Sequence, residues 1–219
     1  MRVLVACERS GVVRQAFRAL GHDAWSCDLE PADDGPLYHF HADVKEVLAQ
    51  QLYWDLLIGH PPCTHIAVSG AAHFAAKRAD GRQQEGIDFF MRFTRLDNIP
   101  HVCIENPVCI MSTLWRKPDQ IIQPWQFGHP ESKATCLWLK GLPKLVPTCV
   151  LPKPACGYWE NQTPSGQNKL GPSKDRAAIR ARTYSGIASA MANQWGKACE
   201  AATDVFTSPL FDGYGGVPW

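Results

Sequence analysis

The sequence predicts an α/β protein built on a mostly parallel sheet, and three observations carry that prediction. Short apolar strands alternate with helical patterns from residue 2 to about residue 140, the arrangement from which crossover units are made. Several strand candidates end beside an acid, a glycine or a cysteine, where a doubly wound sheet holds its ligands. The length, 219 residues, suits one α/β domain with a small appendage, and a hydrophobic content of 45% leaves ample material for a core.

The elements follow in order. "RVLVAC" (2–7) reads as a buried strand, "ERSG" as a turn, and "VVRQAFRALG" (12–21) as a helix closed by Gly21. "DAWSCD" (23–28) is a second strand ending on an acid. A loop, "PADDGPLYHFHADV", leads to a short helix at 45–52, and "WDLLIGH" is the next strand. Residues 66–81 are small and glycine-rich and read as a mobile loop. "GRQQEGIDFFMRFTRL" (81–96) carries apolar residues at helical spacing, whereas "HVCIENP" (101–107) and "ATCLWL" (134–139) are strands. Residues 141–175 are dense in Pro, Gly and Lys and read as irregular. The stretch 174–202 is helical in two pieces broken near Ser185 and Gly186, followed by a loose tail.

The run "WDLLIGHPPCTHIAVSG" (54–70) concentrates the chemistry. Pro61 and Pro62 fix the backbone just before Cys63, because proline locks its own φ and biases its predecessor towards extended geometry. That presents Cys63 at a constrained strand end, which suits a nucleophile and equally suits a tight turn. The nine cysteines are odd in number, several lie in apolar runs, and none forms a CxxC pair, so reduced thiols explain them better than disulfides or structural zinc. His39 and His41 are spaced as a chelating pair, yet no metal site is expected. No run of apolar residues reaches membrane-spanning length, and no signal-peptide pattern opens the chain, which predicts a soluble intracellular protein.

Net charge is +1, but its distribution is uneven. From Lys140 to Arg182 eight Lys and Arg face two acids, a local balance of +6 that leaves −5 for the remainder. Such asymmetry fits a basic patch that meets phosphates, with a solvated basic loop as the alternative.

The order Cys7-Glu8-Arg9-Ser10-Gly11, Asp28, Asp43, Pro61-Pro62-Cys63 and Glu105-Asn106-Pro107 resembles the cytosine-5 DNA methyltransferases in their small, phage-type form. The likeness spans roughly residues 1–140 and 183–196, and its most specific parts are "PPC" and the downstream "IEN". It implies a Rossmann-like S-adenosylmethionine-dependent methyltransferase fold, with a catalytic domain at 1–140 plus 183–206, a minimal target-recognition segment at 141–182 and a tail at 207–219. It implies Cys63 as the nucleophile that adds to carbon 6 of cytosine, with a lowered pKa. Glu105 would then hydrogen-bond ring nitrogen 3 and the exocyclic amine, Asn106 would hold the Glu105 loop against the Cys63 loop, and Lys133 would stand near the base.

For the cofactor, the resemblance places Cys7, Gly11, Gly59, Pro61 and Ser185 around S-adenosylmethionine, with Asp28 on the ribose and Asp43 on the adenine amine. The N-terminus of helix 12–21 would receive the methionine carboxylate. The partner would be duplex DNA with a flipped cytosine. Lys77, Arg78 and Arg82 in a closing loop, and Trp159, Lys169, Lys174 and Arg176 in the basic segment, would contact it. A cytoplasmic location in a bacterial or phage-infected cell follows from the same likeness.

The chain departs from the family in four places. The glycine-rich turn keeps only Gly11, the usual ENV reads "ENP", the Q-x-R-x-R motif is absent with "GHPESKATCLWL" in its place, and the recognition domain is reduced to 141–182. A short site or low specificity follows. RNA or a free cytosine nucleotide as substrate, a catalytically silent binding protein, and a protein partner or self-association that completes DNA binding all stay open.

Overall fold

The computed structural model describes residues 1–50, 52–171, 173 and 176–207, with the backbone alone for 176–178 and 200–207. Lys174, the Arg176 side chain and the tail beyond residue 207 therefore lie outside the described residues.

The β-branched and leucine-rich runs form the strands they predict. β1 (Arg2–Ala6), β2 (Asp23–Asp28), β4 (Leu56–Gly59) and β5 (His101–Pro107) pair in parallel, with β1 between β2 and β4 and with β5 beyond β4. β7 (Thr135–Lys140) pairs with β5 in the antiparallel sense. Two three-residue edge strands complete the sheet: β3 (His39–His41), parallel to β2, and β6 (Gln120–Ile122), antiparallel to β7. The order is β3-β2-β1-β4-β5-β7-β6. This is the Rossmann-like, mostly parallel sheet that the sequence predicts.

Because the central strands are covered on both faces, their sequences are continuously apolar rather than alternating. Val3 and Val5 point into one layer, and Leu4 and Ala6 into the other. The first layer holds α1 (Val12–Ala19) and α7 (Ser185–Thr207), and the second holds α2 (Val44–Ala49) and α4 (Arg82–Arg92). On α7 the buried residues Ala188, Met191, Ala192 and Trp195 follow helical spacing, so one stripe faces the sheet.

The structure corrects three expectations. β3 sits where the sequence read as loop, and β6 lies in a stretch to which the sequence reading assigned no element. Residues 66–81 are not a featureless loop: a 3-10 turn at Val68–His73 runs into α3 (Phe74–Ala79), whose Phe74 is buried. The C-terminal helical stretch divides at residues 182–184 into α6 (Arg176–Ala181) and α7, and α7 continues to Thr207. Among the described residues no helix is long and apolar enough to cross a membrane, and none of the cysteines is in a disulfide.

Trp195 anchors α7. Its ring is fully buried, and its Nε1–H donates to the Pro143 carbonyl at 2.9 Å. Trp195→Ala opens a cavity in the first layer and orphans that carbonyl. The expected cost is about 3–5 kcal/mol, read as a lower midpoint in urea unfolding.

Candidate active site

The carboxyl ends of β1, β2, β4 and β5 lie along one edge of the sheet, and their sequences end in Cys7-Glu8, Asp28, His60-Pro61-Pro62-Cys63 and Glu105-Asn106. That edge is where an open α/β sheet binds its ligand. β4 and β5 are neighbours in register, with Gly59 opposite Ile104, so the next residues of each strand meet side by side.

Two hydrogen bonds join those ends. Asn106, 1% exposed, donates from Nδ2 to the Pro61 carbonyl at 2.7 Å. His60 donates from Nδ1 to Glu105 Oε2 at 2.8 Å, and its backbone N–H donates to the Ala6 carbonyl at 2.9 Å. The Cys63 carbonyl accepts from the backbone N–H groups of Ile66 and Ala67, and Ala67 pairs with Cys109 in a short antiparallel bridge. The Cys63 loop is thus stitched to the segment that follows Glu105.

The electrostatics set the resting states. Burial pushes the Glu105 carboxyl up, but the hydrogen bond and charge of His60 and the Lys133 ammonium outweigh it and hold the group below its ordinary value. Burial pushes the Cys63 thiol up and the Glu105 charge adds to this, against a backbone hydrogen bond and the charges of Lys133 and Arg180. This corrects the expectation of a lowered thiol: with its neighbours as they stand, Cys63 rests protonated. Lys133 and Glu105 share a small cleft with Thr135, Tyr184, Ile187 and Met191. The Tyr184 hydroxyl donates to Glu131 at 2.5 Å, and the Lys133 ammonium lies 5.9 Å from the Tyr184 ring centre.

The cofactor side differs from expectation at the N-terminus of α1. Glu8, 4% exposed, accepts from the backbone N–H groups of Val13 at 2.6 Å and Arg14 at 3.2 Å. A side-chain carboxylate of the chain itself fills the position assigned to a ligand carboxylate. Gly11 adopts a left-handed φ of 69°, and a Cβ there would meet Asp34 Oδ2 at 2.5 Å, so its lack of a side chain admits Asp34. Asp34 is ion-paired with the fully buried Arg14.

Asp43 N-caps α2, accepting from the Lys45 backbone N–H at 2.9 Å, and Gly59 packs its bare Cα against the Phe93 ring. The Pro61 carbonyl takes the Asn106 amide. Ser185 opens α7, where the backbone N–H of Gly186 donates to His129 Nε2 at 2.9 Å. Asp28, half-buried at the end of β2, accepts at Oδ1 from the backbone N–H of Glu30 at 3.0 Å, and its other oxygen has no hydrogen-bond partner among the described residues. Asp28 and Asp43 both raise the Cys7 thiol after burial itself, so two carboxylates crowd the turn after β1.

The residues expected on nucleic acid are dispersed. Lys77 is buried and donates from Nζ to the Thr64 carbonyl at 2.6 Å, tying α3 to the Cys63 loop instead of standing in solvent. Arg82 pairs with Asp80, and Arg78 is exposed. Trp159 is 8% exposed and stacks on Trp125 with ring centres 5.8 Å apart, so it packs inward rather than offering a face to a base. Lys169 is exposed above the Tyr158 ring. Asn161 exchanges two hydrogen bonds with the backbone of Ser132, next to Lys133.

Sequence reasoning missed His60 and Glu8. His60 stands at a parallel strand's carboxyl end directly before the prolines, a position that the same edge rule marks for attention. Glu8 precedes a helix start by four residues, which propensity alone does not distinguish from a surface acid.

No protein-family model matches the chain, and no curated protein matches it either. Among solved structures it is similar to a prophage-encoded protein of E. coli described as a DNA modification methyltransferase. The identity is 13% and the TM-score 0.45, over 69% of this chain and 52% of that one. This chain thus spans about half the length of that protein, and a likeness at this level bears on neither substrate nor mechanism.

The coupling of Cys63 to its neighbours is measurable without turnover. Removing the Glu105 charge lowers the thiol's pKa, and removing the Lys133 charge raises it. Site-resolved alkylation of Cys63 near neutral pH should therefore run several-fold faster in Glu105→Gln and slower in Lys133→Met. Identical rates in all three proteins would mean that these charges do not reach the thiol.

Proposed function

We propose that this chain is an S-adenosylmethionine-dependent methyltransferase that acts on carbon 5 of cytosine in DNA through a Cys63 adduct. The observation that carries the reading is the meeting of Cys63 and Glu105 at the ends of neighbouring parallel strands, joined by the Asn106–Pro61 hydrogen bond. An ionised Glu105 accepts from the exocyclic amine and from a protonated ring nitrogen 3. It so stabilises the electron-poor ring that a thiolate attacks at carbon 6. The Cys63 proton passes to ring nitrogen 3 beside the Glu105 carboxylate as sulfur bonds carbon 6 and the ring electrons move to carbon 5, and nitrogen 3 returns that proton to the sulfur when the thiolate leaves. S-Adenosylmethionine, when bound, supplies the methyl group that carbon 5 takes. Loss of the carbon 5 proton to water then breaks the carbon 6–sulfur bond and returns the thiolate.

The chain's residues fit that donor in part. Asp28, with one oxygen uncommitted among the described residues, suits the ribose hydroxyls, and the carboxylates gathered about Cys7 make a field suited to a cationic sulfonium. The N-terminus of α1 does not suit the donor's carboxylate, because Glu8 already caps it. A single-stranded or free-nucleotide substrate is favoured as the second reading by Lys77 and Trp159, both turned inward and so withdrawn from a duplex.

Duplex DNA carrying 5-fluorocytosine should trap the wild-type protein in a denaturation-resistant adduct, since fluorine does not leave as a proton does. Cys63→Ser should give none. An adduct that survives in Cys63→Ser would move the nucleophile to another thiol. Buried Cys109 and Cys136 are poor candidates, because burial pushes both to about 11. Parallel incubations with single-stranded DNA, RNA and dCMP separate the two substrate readings.

Asp28→Ala should weaken binding of S-adenosylmethionine by about 1.5–3 kcal/mol through the loss of charge-assisted hydrogen bonds. Glu105→Gln should leave that affinity intact while turnover collapses. Calorimetry giving the same loss of cofactor affinity for both variants would count against the assignment.

A further inference from the structure

His60 is neither the nucleophile nor the base-edge carboxyl, yet it touches the carboxyl and precedes the nucleophile by three residues. Its side chain is 11% exposed and that of Glu105 13%, so their 2.8 Å hydrogen bond is shielded from solvent. His60 Nε2 is sealed and has no partner among the described residues, so the ring has one attachment through its side chain, and that attachment is Glu105. Glu105 Oε1 has no partner among the described residues, while the side chain lines the cleft with Lys133 and Tyr184.

We propose that His60 is a positioning residue for Glu105: its Nδ1–H takes Oε2 and turns Oε1 towards the base edge. The proposal rests on the reading of Glu105 as the group that meets the base.

The division of labour follows from the two ties between β4 and β5. Asn106 bonds a backbone carbonyl, so it sets the separation of the loops and carries no charge. His60 bonds the reacting carboxylate itself, so it sets that group's rotamer and ionisation. The charged groups around the His60–Glu105 pair are Glu8 from the turn after β1, on which His60 acts, and Lys133 from the loop before β7, which acts on Glu105. His60 acts electrostatically on both carboxyls. Burial pushes Glu8 up despite His60, whereas Glu105, with the direct hydrogen bond, is held down. At Glu105 the direct hydrogen bond from His60 is the largest influence opposing burial, ahead of the charges of His60 and Lys133. Losing it leaves burial to dominate at Glu105, so the carboxyl would hold its proton to higher pH and turn freely in the cleft.

The test follows the Glu105 carboxyl directly, by carbon-detected NMR of glutamate-labelled protein with Glu105→Gln identifying the resonance. In His60→Ala the titration midpoint should move upward, and in His60→Asn, which keeps a neutral N–H donor near the Nδ1 position, it should move less. Turnover should fall about 10²-fold in His60→Ala, with the cofactor KM unchanged and partial rescue by His60→Asn. A midpoint that does not move in folded His60→Ala overturns the proposal, as does a loss carried entirely by KM. Should His60→Ala fail to fold, His60→Asn decides alone: a midpoint above that of the wild type supports the proposal, and one equal to it overturns it. Failure of the wild type to form the 5-fluorocytosine adduct would instead remove the methyltransferase reading, and the titration would still decide the role of His60.

Discussion

The hydrogen bond from Asn106 to the Pro61 carbonyl is the constraint on which the rest of the site depends. Parallel pairing of β4 with β5 brings two loops to the same edge, but pairing ends at Gly59 and Ile104, and beyond it nothing in the sheet dictates their separation. Proline contributes no N–H, so residues 61 and 62 cannot extend the ladder. The Asn106 amide replaces the missing rung with a buried side-chain bond of 2.7 Å. An unsatisfied buried carbonyl is costly, so the bond also holds its register. Cys63 then lies two residues past the fixed carbonyl, and Glu105 one residue before the fixing amide.

Bringing a thiol beside a carboxylate creates a conflict that the surrounding groups resolve in favour of the carboxylate. Burial favours the protonated form of both. His60 and Lys133 tip Glu105 to the ionised side, and the resulting negative charge then raises Cys63 further. The resting site is therefore an ionised acid next to a protonated thiol. Such a thiol is shielded from adventitious oxidation and alkylation, because the thiolate is the reactive form. Anything that neutralises the Glu105 charge relieves the Coulombic part of that inhibition, and in the proposed reaction a protonated ring nitrogen would do so.

Much of this was legible in the sequence, and the remainder was not for identifiable reasons. β1, β2, β4, β5 and β7 announce themselves as apolar runs because each is buried on a face whose identity the run determines. β3 and β6 are three residues long, and "HFH" and "QII" become strands only because a neighbour offers an edge. α3 is a run of small residues that packs through Phe74 and the buried stem of Lys77, contacts that no local pattern encodes. Cys63, Glu105 and Asn106 were visible because their order and strand-end positions are sequence properties. The His60–Glu105 contact spans 45 residues, and the burial of Lys77 and Trp159 is a tertiary outcome. Charge and aromaticity predict what a side chain can do, not whether it faces solvent.

The basic segment shows what that distinction does to a functional argument. Its composition suggests a surface laid out for phosphates, yet much of it folds back on the chain. Cys149 pairs with Phe127, Leu151 donates its N–H to the Trp125 carbonyl, and Trp159 stacks on Trp125. Asn161 clasps the backbone of Ser132. All of these partners belong to the loop between β6 and β7, the loop that carries Lys133 into the cleft beside Glu105. Lys133 reaches Glu105 from an irregular loop, and irregular backbone holds its shape only when its polar groups find partners. The segment supplies several of them. Residues 141–171 therefore act on the site through the loop they brace, whatever else their exposed cations touch, and a change there reaches Glu105 and Cys63 through the placement of the Lys133 charge.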